Sequence, residues 1–226
     1  MCTVTYLPKK GDSFILTSNR DEKKYRLTAE LPQIHSIHGQ KLIFPKDPAS
    51  SGTWIASSFQ GLTACILNGA FERQLSDPPY RKSRGLVLLD LFKYKNIHAF
   101  FSQYGFTNIE PFTLLFADGL TLHELRWNGK DTFLKELNQK EPYIWSSVSL
   151  YSEEVILKRK QLFVQWLDEH KDPKLEDIRK FHRFFAENNS SGDMATLSIT
   201  SIARESASIK MTYEDLINES LYIQSF

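Results

Sequence analysis

A cysteine at position 2 and the run Asn19-Arg20-Asp21 offer the most specific chemistry in this chain. Methionine is normally trimmed when the residue after it is small. Cys2 is therefore expected to become the first mature residue, bearing a thiol and a free α-amine. An α-amine titrates near pH 8, at about 7.7–8.0, so part of it is unprotonated at neutral pH. Such an amine can serve as general base for the thiol of its own residue, directly or through a water. A neighbouring guanidinium favours the thiolate, which gives Arg20 a role. A carboxylate can orient the amine or accept a hydrogen bond from it, which gives Asp21 one. The plainer reading is a small apolar strand residue at position 2 and a solvated Arg20–Asp21 ion pair.

Other reactive side chains are less specific. Cys65 lies in the apolar stretch Leu62 to Leu67 and reads as a packing residue. His35 and His38 are close in sequence, but no further ligand follows at zinc-like spacing, and no metal is assigned. His182 falls on an amphipathic helix and is expected to be solvated. Trp54 suits either a pocket mouth or a core. Arg81, Lys82 and Arg84 cluster at a helix start, where positive charge is unfavourable. They are either solvated or neutralised by a bound anion or carboxylate.

The elements that must position these groups begin with a hairpin. Cys2 to Leu7 and Ser13 to Ser18 are rich in strand formers, and Pro8-Lys9-Lys10-Gly11-Asp12 is a turn cluster. Pairing Leu7 with Ser13 would set Cys2 opposite Ser18, with Asn19, Arg20 and Asp21 just beyond. Lys23 to Ser51 contains Pro32, Pro45 and Pro48 and reads as a long loop with one strand near Lys41–Phe44. A second hairpin spans Thr53 to Ser57 and Leu62 to Leu67, and a third Phe112 to Ala117 and Thr121 to Trp127. Ser83 to Tyr104 reads as helix broken near Lys95-Asn96. Strands are expected at Thr132–Leu137 and Tyr143–Val148. Val155, Leu162, Phe163 and Trp166 fall at helical spacing within Glu153 to His170. Leu175 to Asn188 is a second such helix, and strands at Thr196–Ala203, Ser208–Thr212 and Leu221–Gln224 close the chain. Antiparallel strands in blocks alternating with helices predict an α+β fold, a four-layer αββα sandwich of two antiparallel sheets flanked by helices. One domain is expected over residues 1–226.

Composition sets the outer limits. A net charge of +1 gives no field that would favour nucleic acid or an anionic membrane. No segment approaches the roughly 18 apolar residues of a membrane span. Two cysteines provide no disulfide framework, and no secretory signal is visible, so a reduced, cytoplasmic setting is expected. Ten glycines include no phosphate-cradling loop.

Met1-Cys2-Thr3 followed by Ser18-Asn19-Arg20-Asp21-Glu22 resembles the NRDE family, also called the transport and Golgi organisation protein 2 family. Gly52-Thr53-Trp54, then Gly61 with Leu67-Asn68, Ser83-Arg84-Gly85 and Pro111-Phe112-Thr113-Leu114-Leu115 continue the resemblance in order. Tyr143 to Ser152 and Thr196 to Ile202 match more loosely. The resemblance implies the fold of N-terminal-nucleophile hydrolases, similar in layout to penicillin V acylases and bile salt hydrolases. Those enzymes cleave non-peptide amides with an N-terminal cysteine. On that footing Cys2 is the nucleophile, Asp21 the partner of its amine, and Asn68 an oxyanion donor. Two positions depart from the acylase pattern. Their arginine lies two residues earlier, where this chain has Ser18, and a second asparagine falls near Ser146-Ser147.

The leading expectation is thus a cysteine amide hydrolase using Cys2, Arg20, Asp21 and Asn68, with Asn19, Trp54, Arg84 and Ser147 toward the substrate. It needs no cofactor, and its partner is a small molecule. The alternative is a non-catalytic binding or trafficking protein for a hydrophobic small molecule on the same fold, its pocket built by the Lys23–Ser51 segment and the aromatic residues. Oligomeric state is not legible.

Overall fold

Runs such as Phe14-Ile15-Leu16 and Phe112-Thr113-Leu114-Leu115-Phe116 put apolar groups on both faces of a strand, so both faces must be covered. The computed structural model, which describes residues 3–74, 79–118, 120–188, 193–205 and 208–225, covers them with two stacked sheets and two helical layers. One sheet runs in the order β10 (Tyr143–Ser146), β1 (Thr3–Pro8), β2 (Phe14–Lys23), β11 (Met194–Glu205), β12 (Ser208–Asp215), β13 (Ser220–Ser225). The other runs β3 (Glu30–Ile37), β4 (Gln40–Lys46), β5 (Ile55–Ser58), β6 (Thr63–Asn68), β7 (Phe112–Ala117), β8 (Leu122–Trp127), β9 (Thr132–Leu137). Every pairing recorded between these strands is antiparallel.

Three apolar cores hold the layers. Val4, Leu16, Ile202 and Tyr213 of the first sheet meet Ile55, Cys65, Leu67 and Leu115 of the second. The outer face of the second sheet packs Ala64, Ile66, Leu114 and Phe116 against α1 (Arg84–Leu91) and α2 (Ile97–Gln103). The outer face of the first sheet packs Leu7, Ile15 and Ala203 against α3 (Glu153–Glu169) and α4 (Leu175–Glu187). The predicted αββα sandwich is therefore the observed one. Asn96 marks the expected helix break because its side chain caps α2, accepting from the Ala99 amide.

Two expectations are corrected. Lys23 to Ser51 holds the strand expected near Lys41–Phe44, here β4, but also a second, β3, and the two form a hairpin turning at His38 and Gly39, whose φ values are 51° and 78°. Both central residues of the tight turn thus have positive φ. Pro32 is tolerated because it lies within a register irregularity of an edge strand. The first hairpin is also shifted, pairing Leu7 with Ile15 and Val4 with Ser18.

The Gly52-Thr53-Trp54 and Ser83-Arg84-Gly85 motifs meet each other. A Cβ added at Gly52 would lie 2.6 Å from the Gly85 carbonyl carbon, and one at Gly85 would lie 2.8 Å from the Thr53 oxygen. The start of α1 therefore lies backbone to backbone on the approach to β5.

Candidate active site

Arg20 and Asp21 end the buried part of β2, and as neighbours on a strand they face opposite sides of it. Asp21 is 4% exposed and accepts hydrogen bonds from the Thr196 and Tyr151 hydroxyls. Thr196 reaches it because β11 bulges between Thr196, which opposes Asp21, and Ser198, which opposes Arg20. Tyr151 comes from the turn between β10 and α3, closed by Leu150 and Tyr151 amides on the Ser147 carbonyl. Arg159 of α3 lies 3.7 Å from the Tyr151 ring centroid and donates to the Thr3 hydroxyl.

Arg20 points between the sheets. Its Nη2 donates to Asp47 Oδ2 at 2.8 Å, and its guanidinium carbon stands 5.1 Å from the Trp54 ring centroid. Trp54 is buried in the inter-sheet core. Asn19 faces the helices instead. His182, expected to be solvated, is fully buried there, because the amphipathic helix turns it onto the sheet. Its Nδ1–H donates to Asn19 Oδ1 and its Nε2 accepts from the Thr5 hydroxyl, an arrangement that satisfies a neutral imidazole. Burial, and then the Arg159 charge, push the His182 pKa down to about 3.

Asn68 ends β6 and lines a cleft of about 920 Å³. Ser147 is buried and donates to the Asn68 carbonyl at 2.8 Å. Asp21 lies in a separate cavity of about 440 Å³ with Val155, Leu162, Phe184 and Phe185. Tyr151 lines both. Arg84 stands beyond Gly69, paired with Glu110 at 3.1 Å, while Lys82 pairs with Asp90 and Arg81 donates to the Gly105 and Thr107 carbonyls. The basic cluster is thus bonded to the protein itself. Burial pushes the Cys65 thiol up to about 12, in keeping with a packing role. Cys2 lies outside the described residues. Among the described residues no group of three or more His, Cys, Asp or Glu could hold a metal, and no helix is long and apolar enough to cross a membrane.

Tyr151, Thr196, Asp47 and Arg159 had no individual signal in the sequence. Two of them fall in the looser family-like segments, Tyr143 to Ser152 and Thr196 to Ile202, and those segments converge on Asp21.

The αββα fold is shared with solved hydrolases, an acylase and an amidase. A conjugated bile acid hydrolase from Clostridium perfringens superposes with a TM-score of 0.65 at 11% identity, covering 99% of this chain and 92% of that one. Penicillin V acylase from Agrobacterium tumefaciens gives 0.62 at 10%, covering 99% and 85%. The Caenorhabditis elegans ortholog of N-acylethanolamine-hydrolyzing acid amidase gives 0.62 at 10%, covering 89% and 92%. No match is found among curated protein sequences. The family described as Transport and Golgi organisation 2 matches residues 1–219, and the chain belongs to that family.

Proposed function

We propose that the chain is an N-terminal-cysteine hydrolase of non-peptide amides. Once Met1 is removed, the thiolate of Cys2 attacks the amide carbonyl, and Asn68 with a backbone N–H holds the oxyanion. The α-amine takes the thiol proton and passes it to the leaving amine. Water then cleaves the thioester, releasing a carboxylic acid and regenerating the thiol.

The observation that carries this reading is the buried Asp21 carboxylate, held by the Tyr151 and Thr196 hydroxyls at the end of β2. The β1–β2 ladder pairs Val4 with Ser18, so the described start of β1 runs toward the end of β2 that carries Arg20 and Asp21. Proteins of like fold are named as a hydrolase of conjugated bile acids, an acylase of penicillin V and an amidase of N-acylethanolamines. Amide cleavage is the chemistry they have in common, and the 920 Å³ cleft beside Asn68 would receive the acyl group.

The test is hydrolysis of a panel of N-acyl amides by wild type, Cys2→Ala, Asp21→Asn and Asn68→Ala. Wild type should turn over at least one amide, and Cys2→Ala none. Loss of an oxyanion donor lowers kcat by about 10²–10³. Equal turnover by wild type and Cys2→Ala rules the mechanism out. Saturable binding of acyl amides with no turnover would favour the non-catalytic reading.

A further inference from the structure

Arg20 uses only one edge of its guanidinium. Nη2 donates to Asp47, while Nη1 is buried and has no partner. A buried donor left unpaired in a native structure calls for an explanation, and an unfilled catalytic role is one. The guanidinium is a rigid planar fork, so anchoring Nη2 and stacking the group on Trp54 fixes the direction of Nη1.

The anchor is itself clamped. Asp47 follows β4, and its Oδ1 accepts from the Ala49 and Ser50 amides, both at 3.0 Å. Arg26 Nη2 reaches both carboxylate oxygens, at 3.1 and 3.2 Å. Burial opposes ionisation of Asp47, but the bonds from Arg26, Arg20 and the Ser50 amide outweigh it and hold the carboxyl below its usual range. Asp47 lines neither the cavity beside Asn68 nor the one beside Asp21, so any part it plays goes through Arg20.

We infer that Asp47 is a positioning residue of the proposed reaction: it takes one edge of Arg20 so that Nη1 is kept for the Cys2 thiolate. This rests on the hydrolase reading above.

The experiment is alkylation of full-length protein with iodoacetamide across pH, with Cys2 and Cys65 resolved by peptide mapping. Asp47→Asn is the informative variant. Its Oδ1 can still serve the Ala49 and Ser50 amides, while an NH₂ group now faces Arg20. A mere change of charge removes a negative group near the thiol and should lower the alkylation midpoint. Loss of positioning should raise it, by roughly one pH unit or a tenfold loss of thiolate below the midpoint. The expected result is a wild-type midpoint below the ordinary thiol range of about 8.5. Asp47→Asn and Arg20→Gln should raise it alike, and the double variant should add nothing. An unchanged or lowered midpoint in Asp47→Asn, with Arg20→Gln raised, overturns the role of Asp47 and leaves the hydrolase reading standing. An ordinary wild-type midpoint that Arg20→Gln does not move overturns both. Should Asp47→Asn fail to fold, Asp47→Ser keeps a short acceptor for the turn and carries the same expectations.

Discussion

The Tyr151 hydroxyl donates to the carboxylate of Asp21, a residue 130 positions earlier in the chain, and so ties the start of α3 to the end of β2. Tyr151→Phe removes that donor and keeps the ring under Arg159. Hydrogen bonds to charged groups contribute about 1.5–3 kcal/mol, and a loss of that order is expected in urea denaturation. In a double-mutant cycle with Asp21→Asn the two changes should be non-additive by at least about 0.5 kcal/mol. Additive losses would show that the two side chains act separately.

The contact of Gly52 with Gly85 predicts that the family-like glycines are there for packing. Gly52→Ala and Gly85→Ala each place a methyl group under 3 Å from backbone atoms. Overpacking of this kind costs about 1–3 kcal/mol, and both variants should melt lower than wild type. Gly105→Ala is the control, since its Cβ would meet only an arginine nitrogen at 3.9 Å. Three equal melting temperatures would refute the close approach.

His182 gives the fold an acid sensitivity of definite sign. Its unfolded imidazole titrates at the ordinary 6.5, and burial lowers the folded value to about 3. Between those values the unfolded chain holds a proton that the folded chain lacks. The stability this gives is complete above pH 6.5 and is lost as pH falls toward 3. His182→Gln should be less stable at pH 7 but decline less steeply in denaturation series from pH 8 to 4. Parallel declines would mean that His182 does not carry the effect.

Cys65, fully buried with its thiol pushed up to about 12, should resist alkylation while the protein is folded. Peptide mapping after iodoacetamide treatment at pH 8 should find Cys65 modified only at the rate of unfolding. Modification at the rate of a free thiol would place it at the surface.

Sequence periodicity revealed the layers because apolar side chains at strand and helix spacing dictate which faces must be covered. It was blind to the register of the first hairpin for a physical reason. A one-residue slip turns every side chain to the other face, but a two-residue slip turns none, so Leu7 opposite Ser13 and Leu7 opposite Ile15 satisfy the pattern equally. The hairpin from Glu30 to Lys46 was hidden by its prolines, one of which sits in an irregularity only pairing reveals. Arg20 and Asp21 could be read as neighbours. Which faced Trp54 and which faced Tyr151 depended on the register and on the bulge at Thr196. Asp47 and Tyr151 carry no local pattern at all, because their roles exist only through contacts with β2.

The proposed nucleophile is the first mature residue. The most direct measurement is mass analysis of the N-terminal peptide after rapid quenching with a hydrolysable N-acyl amide. The peptide should begin at Cys2, lack Met1 and carry one acyl group that base or hydroxylamine releases. Turnover by protein that retains Met1, or an acyl group found on any other residue, would contradict it.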